Sequence, residues 1–296
     1  MLLVKLQGGL GNQMFQYAAA RSILKNGDCI YLDHQFLEEN SNIDNEHFTG
    51  RKYELLVFKN IKAVKAKNYQ IVFVKNLSLF NRVLRIILKP SIKHILQKEN
   101  EYISFEGLSA YNYVYLDGYF QSEKYFKNIR EDLLKEFEFP LLDAYTETIK
   151  DKISNTPNAI SLHIRRGDYL KPNVFNVHGI LPLSYYNKAL EALLAKYNAI
   201  SIFIFSDDVA WTKANFETRN NINIEFVEPN ESWKDMALMS HCQHHIIANS
   251  SFSWWGAWLS KNNGDVFAPQ HWFNPSKVNY NIQDFIPANW SIVDYD

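Results

Sequence analysis

Hydrophobic and polar positions follow a regular rhythm in the second half of the chain. Ala159 to Ile164 predicts a strand, Ser184 to Tyr197 a helix, Ile200 to Phe205 a strand, Asp208 to Phe216 a helix and Ile222 to Val227 a strand. A helix over Ser232 to Cys242, a strand over His245 to Ala248, a helix over Ser251 to Ser260 and a strand over Asp265 to Ala268 continue it. Strands separated by helices of this length predict a doubly wound parallel sheet. Ligands of such sheets bind outside the carboxyl ends of the strands.

The first half is less regular. Leu2 to Leu6 predicts a buried strand, Gln7 to Gln13 a glycine-rich turn, and Met14 to Lys25 a helix with Phe15, Ala18, Ala19 and Ile23 facing inward. Cys29 to Asp33 predicts a second strand and Glu38 to Arg51 a polar loop. Tyr113 to Ser122 predicts a strand running into an aromatic turn, followed by helices over Glu123 to Phe137 and Asp143 to Ile153. Asn155-Thr156-Pro157-Asn158 is the expected boundary, giving domains 1–156 and 157–296.

The residues after each predicted strand of the second half carry the candidate chemistry. They are Arg165-Arg166-Gly167-Asp168, Ser206-Asp207-Asp208, Glu228-Pro229-Asn230 and Asn249-Ser250-Ser251. Adjacent guanidiniums suit a phosphate or diphosphate, although salt bridges to Asp168 or another carboxylate are the plain alternative. Ser250 and Ser251 begin a helix whose N–H groups favour an anion, and either is also a natural N-cap. Asp207 or Asp208 suits the ring N–H and amine of guanine, unless Asp208 only caps the next helix.

Near the start, Gly9 and Gly11 supply two glycines of a dinucleotide fingerprint, but Met14 stands where the third is needed. The better reading is close backbone approach to a ligand, with Asn12 and Gln13 offering amides; an ordinary tight turn is the alternative. Tyr119 and Phe120 suit either sugar stacking or a core edge. Asp207-Asp208 is not a D-x-D pair, and His241-Cys242-Gln243-His244-His245 lacks zinc-site spacing, so no metal is expected.

Composition narrows the classes. A chain of 296 residues with 47% hydrophobic content can fill two cores. Lys+Arg 31 against Asp+Glu 32 gives no reason to expect a nucleic-acid partner. Two cysteines make a disulfide framework unexpected and favour a reducing compartment. Met1 to Leu6 is too short for a signal-peptide core, and no apolar run reaches the roughly 20 residues of a span. A cytoplasmic protein is expected, with room for contact peripheral to the inner membrane. That contact is suggested by Lys59 to Lys98, ten basic residues with no acid between Glu54 and Glu99. Within it Phe80, Val83, Leu84, Ile87 and Leu88 share a predicted helix face, with Arg82, Arg85 and Lys89 opposite. Such a helix suits an anionic membrane or a lipid-linked substrate, or packs on its own domain.

Three long motifs stand in order: Gly8-Gly9-Leu10-Gly11-Asn12-Gln13-Met14-Phe15-Gln16-Tyr17-Ala18, His163-Ile164-Arg165-Arg166-Gly167-Asp168-Tyr169 and Ile247-Ala248-Asn249-Ser250-Ser251-Phe252-Ser253-Trp254-Trp255. With Asp117-Gly118-Tyr119-Phe120-Gln121 and Trp233-Lys234-Asp235-Met236, the chain resembles the bacterial α-1,2-fucosyltransferases of glycosyltransferase family eleven nearly end to end. The resemblance implies a GT-B-like α/β fold, two Rossmann-like domains facing a cleft, with the acceptor side in the first and the nucleotide sugar in the second. It implies an inverting, metal-independent transfer of L-fucose from GDP-β-L-fucose to the 2-hydroxyl of a galactose-type acceptor, with no cofactor. The acceptor would be a galactose-terminated oligosaccharide or lipid-linked glycan. Another linkage, another GDP-sugar, or a silent nucleotide-sugar binder are the alternatives.

Carried over by motif, the resemblance assigns the donor β-phosphate to Arg165, with Arg166 and Asp168 shaping the turn. It assigns the nucleotide to His163 and Asp207 or Asp208 and the diphosphate to Ser250 and Ser251, with Asn249 and Phe252 also counted among the donor-binding residues. The glycine-rich loop, with Gly9 and Leu10 among the donor-binding residues, would face the leaving group and acceptor through Gly11 and Asn12. The related core α-1,6-fucosyltransferases carry a glutamate base just past the arginines. Here Lys171 to His178, expected to be a mobile loop, has none, which leaves Asp168, His178, Asp33 and Asp117 as candidates.

Overall fold

A computed structural model describes residues 1–24, 28–98, 101–217 and 221–295. The expected helix end at Lys25 lies outside them. The chain forms two compact units, residues 1–43 with 50–138 and residues 44–49 with 139–296. The boundary therefore falls before Phe139 and not at 156/157. The reason is the helix Ala144–Ser154, whose Ile153 packs with Ala159, Phe203, Leu238 and Met239 of the second unit. Asp143, at its N-cap, also accepts from Lys234 Nζ at 2.7 Å.

The first unit holds a parallel sheet of β1 (Leu2–Lys5), β2 (Ile30–Asp33), β3 (Ala63–Lys65), β4 (Ile92–Leu96) and β5 (Tyr113–Asp117). Its strand order is β3-β2-β1-β5-β4. Succession runs outward from β1 in one direction and resumes on its other side, so the order switches between β1 and β5. The helix after β1 is Leu10–Ser22, four residues earlier at its start than its hydrophobic spacing suggested. Leu10, Gly11, Asn12 and Gln13 are its first turn, and the left-handed residue of the preceding turn is Gly8, with φ +76°. Glu38 to Arg51 is only partly loop, because Gln35–Asn40 is helical.

The second unit holds β6 (Ala159–Ile164), β7 (Ile200–Ser206), β8 (Ile222–Phe226), β9 (His244–Ile246), β10 (Val266–Pro269) and β11 (Ser291–Val293). The order is β11-β10-β9-β6-β7-β8, all neighbours parallel, with the switch between β6 and β9. All six residues of β6 are buried, which explains a nearly continuous apolar run there. Ile160, Leu162 and Ile164 face Tyr185, Ala189 and Leu193 of the helix Leu183–Leu194. Each such aliphatic side chain contributes about 2 kcal/mol by leaving water.

Residues 44–49 join this unit from far upstream. Asp44 and Thr49 form an antiparallel bridge, and Lys171 Nζ donates to Asp44 Oδ1 at 2.5 Å and Thr49 Oγ1 at 2.7 Å. Cys29 and Cys242 are free thiols. No described helix is long and apolar enough to cross a membrane.

Candidate active site

The rim of the second switch point is built from the turn after β6. Asp207, just past the end of β7, accepts from the Arg166 backbone N at 2.8 Å and pairs with Arg165 Nη1 at 2.8 Å. Arg165 also pairs with Asp168. Gly167 makes the turn possible: a Cβ there would lie 2.5 Å from Asp207 Oδ2, the oxygen that holds Arg165. Arg166 pairs with Asp208 at 3.2 Å, and its guanidinium lies 3.6 Å from the Trp211 ring centroid. Burial opposes the Arg165 charge, but Asp207 and Asp168 more than offset it and raise its pKa.

Both expected alternatives therefore hold for these carboxylates. Asp208 caps the helix Val209–Asn215 by accepting from Trp211 N at 3.2 Å. Asp207 and Asp208 each have both oxygens engaged, so they brace the arginines before they meet any base. With Asp168 they put three carboxylates around two guanidiniums. The turn is thus no net positive patch; what it offers is donors held in fixed directions.

Four polar atoms around this turn are buried without a hydrogen-bond partner: Arg165 Nε, His163 Nδ1, His178 Nδ1 and Asn249 Oδ1. They are half of the eight such atoms among the described residues, and a buried orphan calls for a ligand or water. Tyr169 ties three of them together. Arg165 lies 5.4 Å from its ring centroid, His178 stacks on it at 4.8 Å, and its hydroxyl donates to the Asn249 carbonyl at 2.9 Å. Asn249 Nδ2 donates to the His178 carbonyl at 2.9 Å. His163, on β6, faces Phe252 at 5.5 Å between ring centroids. Burial lowers His163 to about 3 and His178 to about 4, so both imidazoles are neutral at physiological pH.

The Ser251–Trp258 helix starts at the same rim. Ser250 is its N-cap, accepting from Phe252 N at 3.3 Å, while Ser251 opens the first turn. Residues 172–178 are not a loop: Pro172–His178 is a helix, entered by Pro172 and closed by Gly179 at φ +68°.

A model of Glycosyl transferase family 11 matches residues 1–294. The chain belongs to that family. It is 33% identical over 309 aligned residues to an Escherichia coli alpha-1,2-colitosyltransferase, covering 98% of each chain. It is 35% identical to the Escherichia coli O-antigen biosynthesis glycosyltransferase WbnK, covering 92% of this chain and 96% of that one. A variant of Arabidopsis thaliana FUT1 in complex with GDP has a similar fold, with a TM-score of 0.50 at 10% identity over 99% of this chain and 76% of that one. The fold of this glycosyltransferase is GT-B-like, with two Rossmann-like α/β units.

In the first unit of this family 11 protein, the groups expected to meet a ligand are largely spent on the protein. Gln13, fully buried, donates to the carbonyls of Gly8 and Lys52 and accepts from Glu54 N, so its amide is not on offer. Asn12 Oδ1 accepts from Gln121 at 2.7 Å. Gly9 is the N-cap of the Leu10–Ser22 helix and no side chain caps it. Asp33 is buried against Lys75 at 2.9 Å and the Tyr115 hydroxyl at 2.7 Å, and Asp117 pairs with Lys5 at 3.0 Å. Asp33 is thus spent within its own unit, while Asp117, like Asp168, is held in an ion pair. Phe120 is buried, with φ 51°, against Phe105 and Tyr125, so only Tyr119 of the aromatic turn is exposed. Sequence reasoning missed the supporting roles of Tyr169 and Trp211. Asp235, in the Trp233 to Met236 stretch, has its carboxyl raised to about 6 by burial, against hydrogen bonds from Asn230 that lower it. Trp211 was findable, since an aromatic three residues after a capping Asp returns over that cap.

Proposed function

We propose that this family 11 glycosyltransferase moves L-fucose from GDP-β-L-fucose to the 2-hydroxyl of a terminal galactose, with inversion to an α-1,2 linkage and without a metal. The orphaned atoms around Arg165 carry the reading, because they ask for a polar ligand where the strand order switches. The motif likeness supports a GDP-sugar as that ligand. Cleaving the sugar–phosphate bond builds negative charge on GDP, which the arginines would stabilise most in the transition state. Arg165 would take the β-phosphate and Ser250 and Ser251 the remaining oxygens, with Arg166 held by Asp208 and Trp211 to keep the turn in shape. Asp168 or the neutral His178 would accept the acceptor proton. The 2-hydroxyl acceptor would belong to an O-antigen repeat or related glycan.

One specific observation favours a second donor, the 33% identity to a colitosyltransferase. Colitose lacks the 3-hydroxyl of fucose, so the two donors differ by one polar group. Purified protein should release GDP and fucosylate a galactose-terminated acceptor in the presence of a chelator, and product linkage should be α-1,2. Faster turnover of GDP-colitose in the same assay would transfer the assignment to that donor. No GDP release from either donor, in a folded protein that binds GDP, would identify a silent binder.

A further inference from the structure

We infer that the Leu79–Leu88 helix of the first unit is a docking surface for an anionic phospholipid bilayer. The helix is well formed. Ser78 caps it by accepting from Asn81 N at 3.1 Å, and Lys89 ends it in the left-handed region at φ 46°. Its orientation is the reverse of a water-facing amphipathic helix. Only polar Asn81 is buried, while Leu79 is 77%, Phe80 74%, Val83 57%, Ile86 72% and Ile87 70% exposed. A contiguous apolar face of this kind marks an interaction site.

Charge selects the occupant. Arg82 and Arg85 lie on the same helix, Lys89 is its C-cap, Lys93 follows on β4, and the chain has no acid between Glu54 and Glu99. A second copy on this face would set those cations against their own counterparts with no carboxylate from this stretch between them. An anionic bilayer receives them at its headgroups while the apolar side chains enter the acyl boundary. At ten residues the helix is about 15 Å long, which suits lying flat in the interface. Of the expected face, Phe80, Val83, Ile87 and Leu88 are exposed and Leu84 is half-buried; what the structure adds is that the exposed part is not packed on its own domain.

The full chain is tested by sedimentation with phosphatidylglycerol-containing vesicles and with neutral phosphatidylcholine vesicles, at low and high salt. Wild-type protein is expected to sediment with the anionic vesicles at low salt, and several-fold less with neutral ones. Phe80→Ser/Ile87→Ser should lower that binding about tenfold, and Arg82→Glu/Arg85→Glu should remove the anionic preference. Both variants should keep the wild-type melting temperature and transfer to a soluble disaccharide, so loss of docking is separable from failure of the transferase assignment. Equal sedimentation of wild type and Phe80→Ser/Ile87→Ser, or none for wild type, would overturn the inference. So would a concentration-dependent dimer in sedimentation velocity that Phe80→Ser/Ile87→Ser abolishes, because it would give the face to a second copy.

Discussion

Each sheet reverses its strand order once, by strands that return inward to β1 in the first and by strands that run outward from β6 in the second, and the two reversal points treat their polar groups oppositely. Between β1 and β5, Gln16 is buried and bonds Gln7 through both N and O, then reaches the Gly118 carbonyl at 3.2 Å. Gln13 does the same for Gly8, Lys52 and Glu54. Between β6 and β9, by contrast, Arg165, His178 and Asn249 each keep one buried atom unpartnered, as does His163 beside them. Two parallel sheets with one reversal each thus hold one crossing stitched shut by carboxamides and one held in readiness by arginines. A fold-level rule that ligands bind at such points finds both; hydrogen-bond accounting chooses between them.

The largest expected effect separates them directly. Arg165→Ala should cut transfer at least about 1,000-fold and weaken GDP binding by about 3 kcal/mol, and should also lower the thermal midpoint, because Asp168 and Asp207 lose their cation. Steady-state kinetics and calorimetry on the folded variant check this, and unchanged GDP affinity would remove Arg165 from the donor site. Gln16→Leu should cost stability alone. It leaves the Gln7 N–H, the Gln7 carbonyl and the Gly118 carbonyl without their partner, at a cost of about 3 kcal/mol in urea unfolding, with GDP affinity unaltered. A GDP-binding defect in that variant would show that the first crossing also serves the ligand.

Acid should discriminate more gently. His163 and His245 are pushed down to about 3 by burial, against about 6.5 in the unfolded chain. Their native environment therefore favours the neutral ring. Its full contribution is present above about pH 6.5 and is lost as pH falls toward 3, at roughly 1 kcal/mol per pH unit for each ring. Both lie in the second unit. Its amides should lose hydrogen-exchange protection before those of the first unit as pH drops from 7 to 5.

The second sheet was legible because β6 and β7 are buried on both faces and their helices are long enough to show their period. The sequence boundaries of β6 match residue for residue. β11 was not legible: Ser291 and Ile292 are exposed at the sheet edge, so no apolar run marks them. The boundary near Pro157 misled because a proline and two asparagines signal a turn, not a change of core. At the site, residue types revealed the cations and the local Asp168 partner but not the pairing of Arg165 with Asp207, more than forty residues away. Gln13 was misread for a related reason. A carboxamide in a glycine-rich stretch looks equally ready for a ligand or for three backbone groups, and only burial tells which.

The 44–49 segment has a practical consequence for anyone wishing to cut the protein apart. A fragment beginning at Phe139 contains every strand of its sheet and still lacks the short hairpin that holds the Lys171 ammonium, three residues beyond Asp168. Scission at one peptide bond therefore cannot yield an intact carboxyl-terminal piece. Restoring it would require supplying the six-residue strand of chain from the other half in trans, or rejoining it through a permuted terminus.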